Sequence, residues 1–208
     1  GSALESKHRA LRVKKILFDK AYYEKFYLDE ATQAVSTQEQ ERQVALINAY
    51  IAYLQIDIKS VLDLGCGLGQ FLTSLEKVLP NANATGVEIS DYLCQQHGWH
   101  KGSVVDFGAT QAEQYDLVIC NDVLAYLNNA DCAKAIKNLA KLTRQCLYLS
   151  VLTEEDLPIC DEQTTDMRQR LRPSQWYRKH LAKDFCSVGG GLFIRKPITV
   201  PIWQLEQI

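Results

Sequence analysis

The stretch "VLDLGCGLGQF" at residues 61–71 decides the fold, because an apolar run passes there into a glycine-rich turn. The apolar run predicts a buried strand, and the residues after the turn have the spacing of a helix. Glycines in the turn allow a sharp bend and a close approach of the backbone to a ligand. A strand, a glycine turn and a helix in this order are typical of a nucleotide-binding site.

Residues in and after this turn exclude two common kinds of nucleotide site. The dinucleotide fingerprint needs a glycine at position 70, where this chain has Gln70. The Lys-Ser or Lys-Thr pair of a phosphate-binding loop is also missing. Asp63 would repel a pyrophosphate but attract an ammonium or sulfonium group. The turn therefore favours a ligand with an adenosine end and a cationic amino-acid end.

From residue 60 onward, short apolar runs rich in Val, Ile and Leu alternate with helical stretches. The runs predict strands in residues 60–67, 84–90, 102–107, 115–122 and 145–152. Such alternation implies a parallel sheet covered on both faces. The tail differs, because "CSVGGGLFIRKP" at 186–197 predicts two strands joined through glycines, and residues 164–185 have a helical pattern broken at Pro173. We expect an antiparallel hairpin at one edge of the sheet.

Acidic residues end two further predicted strands. Glu88 follows the glycine turn by about twenty residues, where an acid can accept hydrogen bonds from ribose hydroxyls. Asp106 and Phe107 end the strand predicted at 102–107 and would suit the amino group and the face of an adenine. Because the carboxyl ends of parallel strands meet at one edge, we expect these residues and Asp63 to share one crevice.

The motifs "VLDLGCGLG", "GVEIS", "VVDF" and "YDLVICNDVLAYL" together resemble those of class I S-adenosylmethionine-dependent methyltransferases, over residues 58–152. The resemblance implies an α/β, Rossmann-like, doubly wound and mostly parallel seven-stranded sheet with an antiparallel C-terminal hairpin and N-terminal helices. It implies S-adenosylmethionine as donor, S-adenosylhomocysteine as product, and no metal. The cofactor-binding residues that it predicts are Asp63, Gly65, Cys66, Gly67, Glu88, Ile89, Asp106, Phe107, Asn121 and Tyr27.

Within this resemblance each part of the donor has its own residues. The turn around Asp63 would hold the methionine moiety, Glu88 the ribose, and Asp106 with Phe107 the adenine. Asn121 and Asp122 would lie beside the transferable methyl in this scheme, and we predict Asp122 and Tyr126 as catalytic residues. Many small-molecule methyltransferases carry His near the Tyr126 position, and this chain does not. "NDVL" stands where nucleic-acid amine methyltransferases carry Asn/Asp-Pro-Pro-Tyr, which disfavours base methylation.

Two segments could form the acceptor pocket. Tyr22 and Tyr23 belong to a tyrosine-rich stretch at 22–27 that could fold over the donor as a lid, or pack on the sheet as an amphipathic helix. The second segment, 160–180, is rich in charged and aromatic residues, and its predicted substrate residues are Arg172, Trp176 and Tyr177. Arginine with aromatic rings suits an anionic or planar acceptor, although a solvated helix anchored by its tryptophan fits the same pattern.

Composition limits the other possibilities. A net charge of −2 gives no general bias toward nucleic acid or anionic membranes. No apolar run approaches the about twenty residues of a membrane span. The seven cysteines are scattered singly, which fits a reducing compartment and neither zinc nor disulfides. We therefore expect a cytoplasmic monomer or homodimer that acts on a small-molecule acceptor, with nucleic acid unlikely and no membrane association.

The chain divides into an N-terminal helical extension or lid at 1–57 and a methyltransferase domain at 58–208, which we expect to form a single globular unit. Two alternatives for function stay open at this point. A basic arm at 7–15 would suit an RNA or protein methyltransferase. A non-catalytic S-adenosylmethionine-binding regulator would carry the same donor motifs.

Overall fold

A computed structural model describes residues 19–23, 37–160, 166 and 168–208. In these ranges seven strands form one sheet. The strands are β1 Ser60–Leu64, β2 Asn83–Glu88, β3 His100–Lys101, β4 Tyr115–Asn121, β5 Thr143–Ser150, β6 Phe185–Gly189 and β7 Leu192–Arg195. The helices are α1 Lys20–Tyr23, α2 Thr37–Tyr53, α3 Gln70–Val78, α4 Asp91–His97, α5 Asn129–Leu142 and α6 Ser174–Leu181, with 3-10 turns at Leu124–Tyr126, Glu154–Ile159 and Gln204–Glu206.

The sheet has the strand order β3-β2-β1-β4-β5-β7-β6. β1 to β5 pair in parallel, and β7 pairs antiparallel with both β5 and β6. The prediction of a mostly parallel seven-stranded sheet with an antiparallel C-terminal hairpin is therefore confirmed. The chain order reverses between β1 and β4, and open α/β sheets bind ligands outside the carboxyl ends of the strands at such a point.

Both faces of the sheet are buried, as the continuous apolar runs require. Neighbouring residues of β4 point to opposite faces, so Val118 belongs to one core cluster and Leu117 to the other. Val118 packs with residues of α5 and α6 such as Leu139, whereas Leu117 packs with residues of α2 and α3 such as Ile47. α2 lies within the predicted N-terminal extension, yet together with α3 it covers one face of the sheet.

Two of the local predictions are wrong. Residues 102–107 do not form a strand, because β3 ends at Lys101 and a series of turns follows. The backbone N–H of Phe107 donates to the Ser103 carbonyl (2.8 Å), and Asn138 of α5 donates to the carbonyls of Val104 and Phe107. A contact with a distant helix thus holds this segment in turns, and the local apolar pattern carries no record of it.

Among the described residues of the segment 164–185, for which the sequence predicts a helical pattern broken at Pro173, the helix is limited to α6, which begins after that proline. Before the proline, the Arg170 N–H donates to the Ala125 carbonyl at 2.7 Å. This bond ties the segment to the 3-10 turn after β4.

Candidate active site

A cleft of ≈150 Å³ opens at the carboxyl ends of β1 to β4, at the point where the strand order reverses. Residues from the loops after all four strands and one residue from α1 form its wall. The described lining residues are Tyr22, Gly65, Gly67, Glu88, Ile89, Gly102, Ser103, Val104, Asn121, Asp122, Val123, Tyr126 and Leu127. Its position makes this cleft the candidate ligand site.

The glycine turn after β1 forms one side of the cleft. Gly65, Gly67 and Gly69 have φ angles of 78°, 55° and 76°, which a side chain would make unfavourable. A Cβ at Gly65 would lie 2.5 Å from a methyl group of Val123. The loop after β1 and the loop after β4 can pack this closely only because residue 65 has no side chain. Trp99 donates its Nε1–H to the Gly67 carbonyl at 3.0 Å. The turn is thereby fixed in a shape that exposes backbone to a ligand.

Glu88, the last residue of β2, is buried and fastens this turn to the loop after β2. Its carboxylate accepts hydrogen bonds from the backbone N–H groups of Gly67 (3.0 Å), Ile89 (2.8 Å) and Ser90 (3.1 Å). The residue that the sequence assigns to the ribose therefore also sets the width of the cleft.

Asp63 lies one residue before the end of β1, paired across the sheet with Gly86 and Ile119. It is only 2% exposed and is not among the residues that line the cleft. Burial, with the charge of Glu88 as a second cause, raises the pKa of Asp63 to about 7. Among the described residues no cationic side chain forms an ion pair with it. A cationic ligand beside the turn would stabilise this carboxylate.

Asn121 and Asp122 end β4 on the opposite side of the cleft. Asn121 has a buried Oδ1 without a hydrogen-bond partner. Asp122 has a φ of 57°, an uncommon backbone conformation for a residue with a side chain. Its N–H donates to the Ser150 carbonyl (2.8 Å), and its carboxylate accepts a long hydrogen bond from the Ser150 hydroxyl (3.4 Å). Burial raises the pKa of Asp122 to about 6, with the charge of Glu39 contributing.

A polar cluster of Tyr22, Tyr126, Asp166 and Arg168 borders the cleft. Tyr126 donates its hydroxyl hydrogen to Asp166 at 2.9 Å, and its oxygen lies 2.9 Å from the Tyr22 hydroxyl. Because the only hydroxyl hydrogen of Tyr126 goes to Asp166, Tyr22 is the donor of the bond between the tyrosines. Arg168 pairs with both carboxylate oxygens of Asp166 and lies over the Tyr22 ring. The cluster joins α1, the 3-10 turn after β4 and the segment before α6.

The Tyr22 phenol and the Asp166 carboxyl of this cluster have shifted pKa values. Burial raises the pKa of Tyr22 to about 12. Burial also opposes ionisation of Asp166, but the hydrogen bonds from Arg168 and Tyr126 outweigh it and hold the pKa of that carboxyl below its ordinary value. At neutral pH the Tyr22 phenol is therefore neutral, and Asp166 and Arg168 form a carboxylate–guanidinium pair.

The structure brings eight of the seventeen predicted site residues to the cleft. Those that line it are Tyr22, Gly65, Gly67, Glu88, Ile89, Asn121, Asp122 and Tyr126. Cys66 belongs to the turn but does not line the cleft, and burial raises the pKa of its thiol. Tyr27 and the side chain of Tyr23 lie outside the described residues.

Asp106 and Phe107 do not line the cleft, because the segment that carries them turns away instead of continuing β3. Asp106 is exposed, and Phe107 packs against the core cluster that contains Leu139. Ser103 and Val104 occupy this part of the wall. Because the sequence predicts a strand over residues 102–107, it does not show that Ser103 and Val104 line the cleft.

Arg172, Trp176 and Tyr177 also lie outside the cleft. The guanidinium of Arg172 is buried and donates to the carbonyls of Leu124 and Leu127 and to the Tyr177 hydroxyl. It stacks over the Trp176 ring at 5.0 Å. Carbonyls at the end of a 3-10 turn need donors, and this arginine supplies them. The three residues hold the turn that carries Tyr126 in place.

Several residues of the site carry no sequence signal that identifies them. Val123 packs against Gly65, and both Val123 and Leu127 line the cleft. Asp166 and Arg168 fall within the charged segment 160–180, which marks a polar region but does not show that they pair beneath Tyr126. Only the folded chain brings these residues together.

Residues 62–145 match the sequence profile of a family described as a methyltransferase domain. This segment is similar to a methyltransferase domain. The solved structures similar to it show the same class I fold at low identity, although no curated protein sequence matches the chain. DesVI from Streptomyces venezuelae has a TM-score of 0.60 at 14% identity, covering 88% of this chain and 100% of its own.

Two further solved structures extend this comparison of folds. Magnesium protoporphyrin IX methyltransferase from Synechocystis PCC 6803, solved with bound S-adenosylhomocysteine, has a TM-score of 0.55 at 20% identity, with 75% of this chain and 83% of that chain covered. An O-methyltransferase family protein from Burkholderia thailandensis has a TM-score of 0.53 at 13% identity, with 76% of this chain covered. The chain spans only 57% of the length of the Burkholderia protein.

The cleft fits S-adenosylmethionine as cofactor. The positive φ angles of Gly65 and Gly67 leave bare backbone in the wall of the cleft. The buried Oδ1 of Asn121 has no partner among the described residues and can accept a hydrogen bond from a ligand amine. The buried carboxyl of Asp63 suits the positive charge of the ligand. Across the described ranges, no group of three or more potential ligands for a metal ion occurs, and no helix is long and apolar enough to cross a bilayer.

Proposed function

We propose that this protein transfers a methyl group from S-adenosylmethionine to a small-molecule acceptor with a nitrogen or oxygen nucleophile. The observation that carries the proposal is the cleft itself, which has the glycine turn on one side and Asp122 with Tyr126 on the other. A donor held by the turn would present its methyl group toward Asp122. The small-molecule substrate named for the Synechocystis enzyme supports the same acceptor class.

Each wall of the cleft has a part in this proposal. The backbone around Gly65 and Gly67, with Asp63 behind it, would hold the methionine moiety, and Glu88 would accept from the ribose. Ser103 and Val104 stand nearest to where the adenine would lie, and Asp106 and Phe107 stay predictions for that end of the ligand.

The bound cofactor supplies an electrophilic methyl group on a positively charged sulfur. The residues of the chain contribute by alignment, because holding two reactants in line removes much of the entropic barrier. The pairing of Tyr22 with Tyr126 closes one side of the cleft and would limit the acceptor's freedom there. Asp122 is the group best placed to contact the acceptor's nucleophile or its proton.

Isothermal titration with S-adenosylmethionine and with S-adenosylhomocysteine tests the donor side. We expect both to bind, and we expect Asp63→Asn to weaken S-adenosylmethionine, which carries the sulfonium, more than S-adenosylhomocysteine. Absence of binding at millimolar ligand would contradict the proposal. Lys59→Gln, an exposed change just before β1, serves as a control that should leave both affinities unaltered.

A further inference from the structure

The wall of the cleft near Asp122 offers hydrogen-bond acceptors and no matching positive charge. Among the described lining residues, the charged side chains are the carboxylates of Glu88 and Asp122, with no Lys, Arg or His. Glu88 already accepts three backbone N–H groups. Asp122 accepts only the 3.4 Å bond from the Ser150 hydroxyl within the described part of the chain. Its carboxylate is therefore the strongest acceptor still available to a ligand there.

Neighbouring polar groups do not neutralise Asp122. Arg168 is the closest guanidinium of the polar cluster, but it pairs with both oxygens of Asp166. Tyr126 gives its only hydroxyl hydrogen to the same carboxylate, so toward other groups it can act only as an acceptor. The oxygen of Tyr126 and the carboxylate of Asp122 thus present the same polarity to the cleft.

The backbone at this point is held in an unusual conformation. Asp122 keeps its φ of 57° while its N–H is tied to the Ser150 carbonyl on β5. Asn121, immediately before it, has the buried and unpartnered Oδ1. Strained backbone that the surrounding structure maintains is concentrated at ligand sites. Asn121 and Asp122 thus place two hydrogen-bond acceptors at the end of β4, and a ligand with hydrogen-bond donors would satisfy them.

We propose that the methyl acceptor is an amine, and that Asp122 binds its N–H groups. This inference rests on the proposed function and narrows it. An acceptor with a carboxylate or a phosphate at this place would set a negative charge against Asp122 and Glu88, and the described wall has no cation to compensate it. An amine supplies the donors, and as an ammonium it also supplies the charge.

The chemistry balances with the groups present. An ammonium bound at Asp122 gives one proton to that carboxylate and becomes a neutral amine. The nitrogen lone pair then forms the bond to the methyl carbon, while the electron pair of the breaking carbon–sulfur bond stays on sulfur. The product is a methylated ammonium ion and a neutral thioether, and Asp122 returns its proton to water. Because burial raises the pKa of Asp122 to about 6, this carboxylate accepts a proton more readily than an exposed aspartate.

Matched probes test the acceptor class in protein saturated with S-adenosylhomocysteine. Each probe skeleton is supplied as amine, alcohol and carboxylate: benzylamine, benzyl alcohol and benzoate, with the cyclohexyl and 2-phenylethyl equivalents. We expect amines alone to raise the melting temperature. With S-adenosylmethionine labelled in the methyl group, we expect label in the amines. Label or stabilisation confined to alcohols or carboxylates, or no response to any amine, would overturn the inference. Failure of S-adenosylhomocysteine itself to bind would instead contradict the proposed function.

Asp122→Asn tests the role of the residue directly. Asparagine tolerates the left-handed conformation, and its amide oxygen can still accept from Ser150. We expect amine affinity to fall by about tenfold or more, since a charge-assisted bond is lost, and S-adenosylhomocysteine affinity to stay within about threefold. Asp57→Asn, an exposed carboxylate beside the start of β1, is the matched control and should change neither affinity.

Two outcomes with this variant would overturn the assignment. Unchanged amine affinity would show that Asp122 does not bind the acceptor. A loss of S-adenosylhomocysteine affinity as large as the loss of amine affinity would show that Asp122 binds the methyl donor. The probe series with the unaltered protein decides the acceptor class even if the variant fails to fold.

Discussion

At the residue scale, Glu88 both holds the backbone of the glycine turn and lines the cleft. Its carboxylate ties the backbone of Gly67 to that of Ile89 and Ser90, so the shape of the glycine turn depends on a side chain from the neighbouring strand. The same carboxylate lines the cleft at the place proposed for the ribose. One acid thus holds the glycine turn in shape and also lines the cleft.

Glu88→Gln tests this arrangement. An amide keeps one acceptor oxygen but replaces the other by a donor, so at least one backbone N–H loses its partner. We expect a fall of about 1–3 kcal/mol in the free energy of unfolding, measured in urea. Calorimetry should show S-adenosylhomocysteine binding weakened by about tenfold or more. Glu76→Gln on the exposed side of α3 is the control, and an equal effect there would refute the specific role of Glu88.

The buried carboxyl of Asp63 predicts a pH dependence of stability. Its pKa rises from 3.8 in the unfolded chain to about 7 in the fold, chiefly through burial. Between these values the folded state binds more protons than the unfolded state, so this group lowers stability as pH increases, by up to about 1.4 kcal/mol per pH unit. Asp122, with its pKa raised to about 6, acts in the same direction.

We therefore expect Asp63→Asn to gain stability relative to the unaltered protein as pH rises from 4 to 7. Urea unfolding of both proteins across this range, without ligand, measures the difference. A difference that does not change with pH would show that Asp63 is ionised in the fold throughout. Asp57→Asn, whose carboxylate is exposed, should show no such trend.

At the scale of elements, the 3-10 turn Leu124–Tyr126 depends on a residue far along the chain. Arg172 donates to carbonyls at both ends of this turn, and its stacking on Trp176 of α6 anchors the guanidinium. Tyr126, the last residue of this 3-10 turn, lines the cleft. A buried arginine that reads as a candidate for binding an anion is here part of the support.

Arg172→Lys keeps the charge but loses the planar fork that reaches several acceptors at once. We expect it to lower the free energy of unfolding by about 2–4 kcal/mol, since buried carbonyls lose their donors. Chemical denaturation measures this loss. Arg178→Lys, at an exposed position of α6, is the control and should change the free energy of unfolding little. If Arg172→Lys left stability intact and weakened only acceptor binding, Arg172 would belong to the substrate site after all.

At the scale of the whole molecule, one sheet connects two core clusters. Ile47 of α2 is fully buried on one face, and Leu139 of α5 is fully buried on the other. Because both helices pack against the same strands, the predicted boundary after residue 57 does not mark a gap in the core.

We expect Ile47→Ala and Leu139→Ala each to lower the free energy of unfolding by about 2–5 kcal/mol. Unfolding followed by circular dichroism and by tryptophan fluorescence should give coincident single transitions in both variants. Leu205→Ala, at a fully exposed position, is the control. An early separate transition in Ile47→Ala alone would show that the N-terminal part unfolds as an independent unit.

The elements of the fold follow largely from local patterns. The apolar runs around β1, β2, β4 and β5 belong to a sheet that is covered on both faces. The local sequence therefore predicts these strands even when their neighbours in the sheet are unknown. The glycine turn is equally local, because positive φ angles are encoded by the glycines themselves. The segment 102–107 shows the limit, since its apolar residues reach the core through turns held by Asn138.

By itself, the sequence determined the sheet, the glycine turn and the acids beside it, because each depends on residue type and short-range spacing. Tertiary structure alone decided which side chains meet across the cleft. It set Asp166 beneath Tyr126, turned Asp106 outward and engaged Arg172 with the backbone of a turn. Such pairings join residues forty or more positions apart, as for Tyr126 with Asp166 and Arg172 with Asn129. Their geometry depends on how the elements pack, and local periodicity carries no information about that.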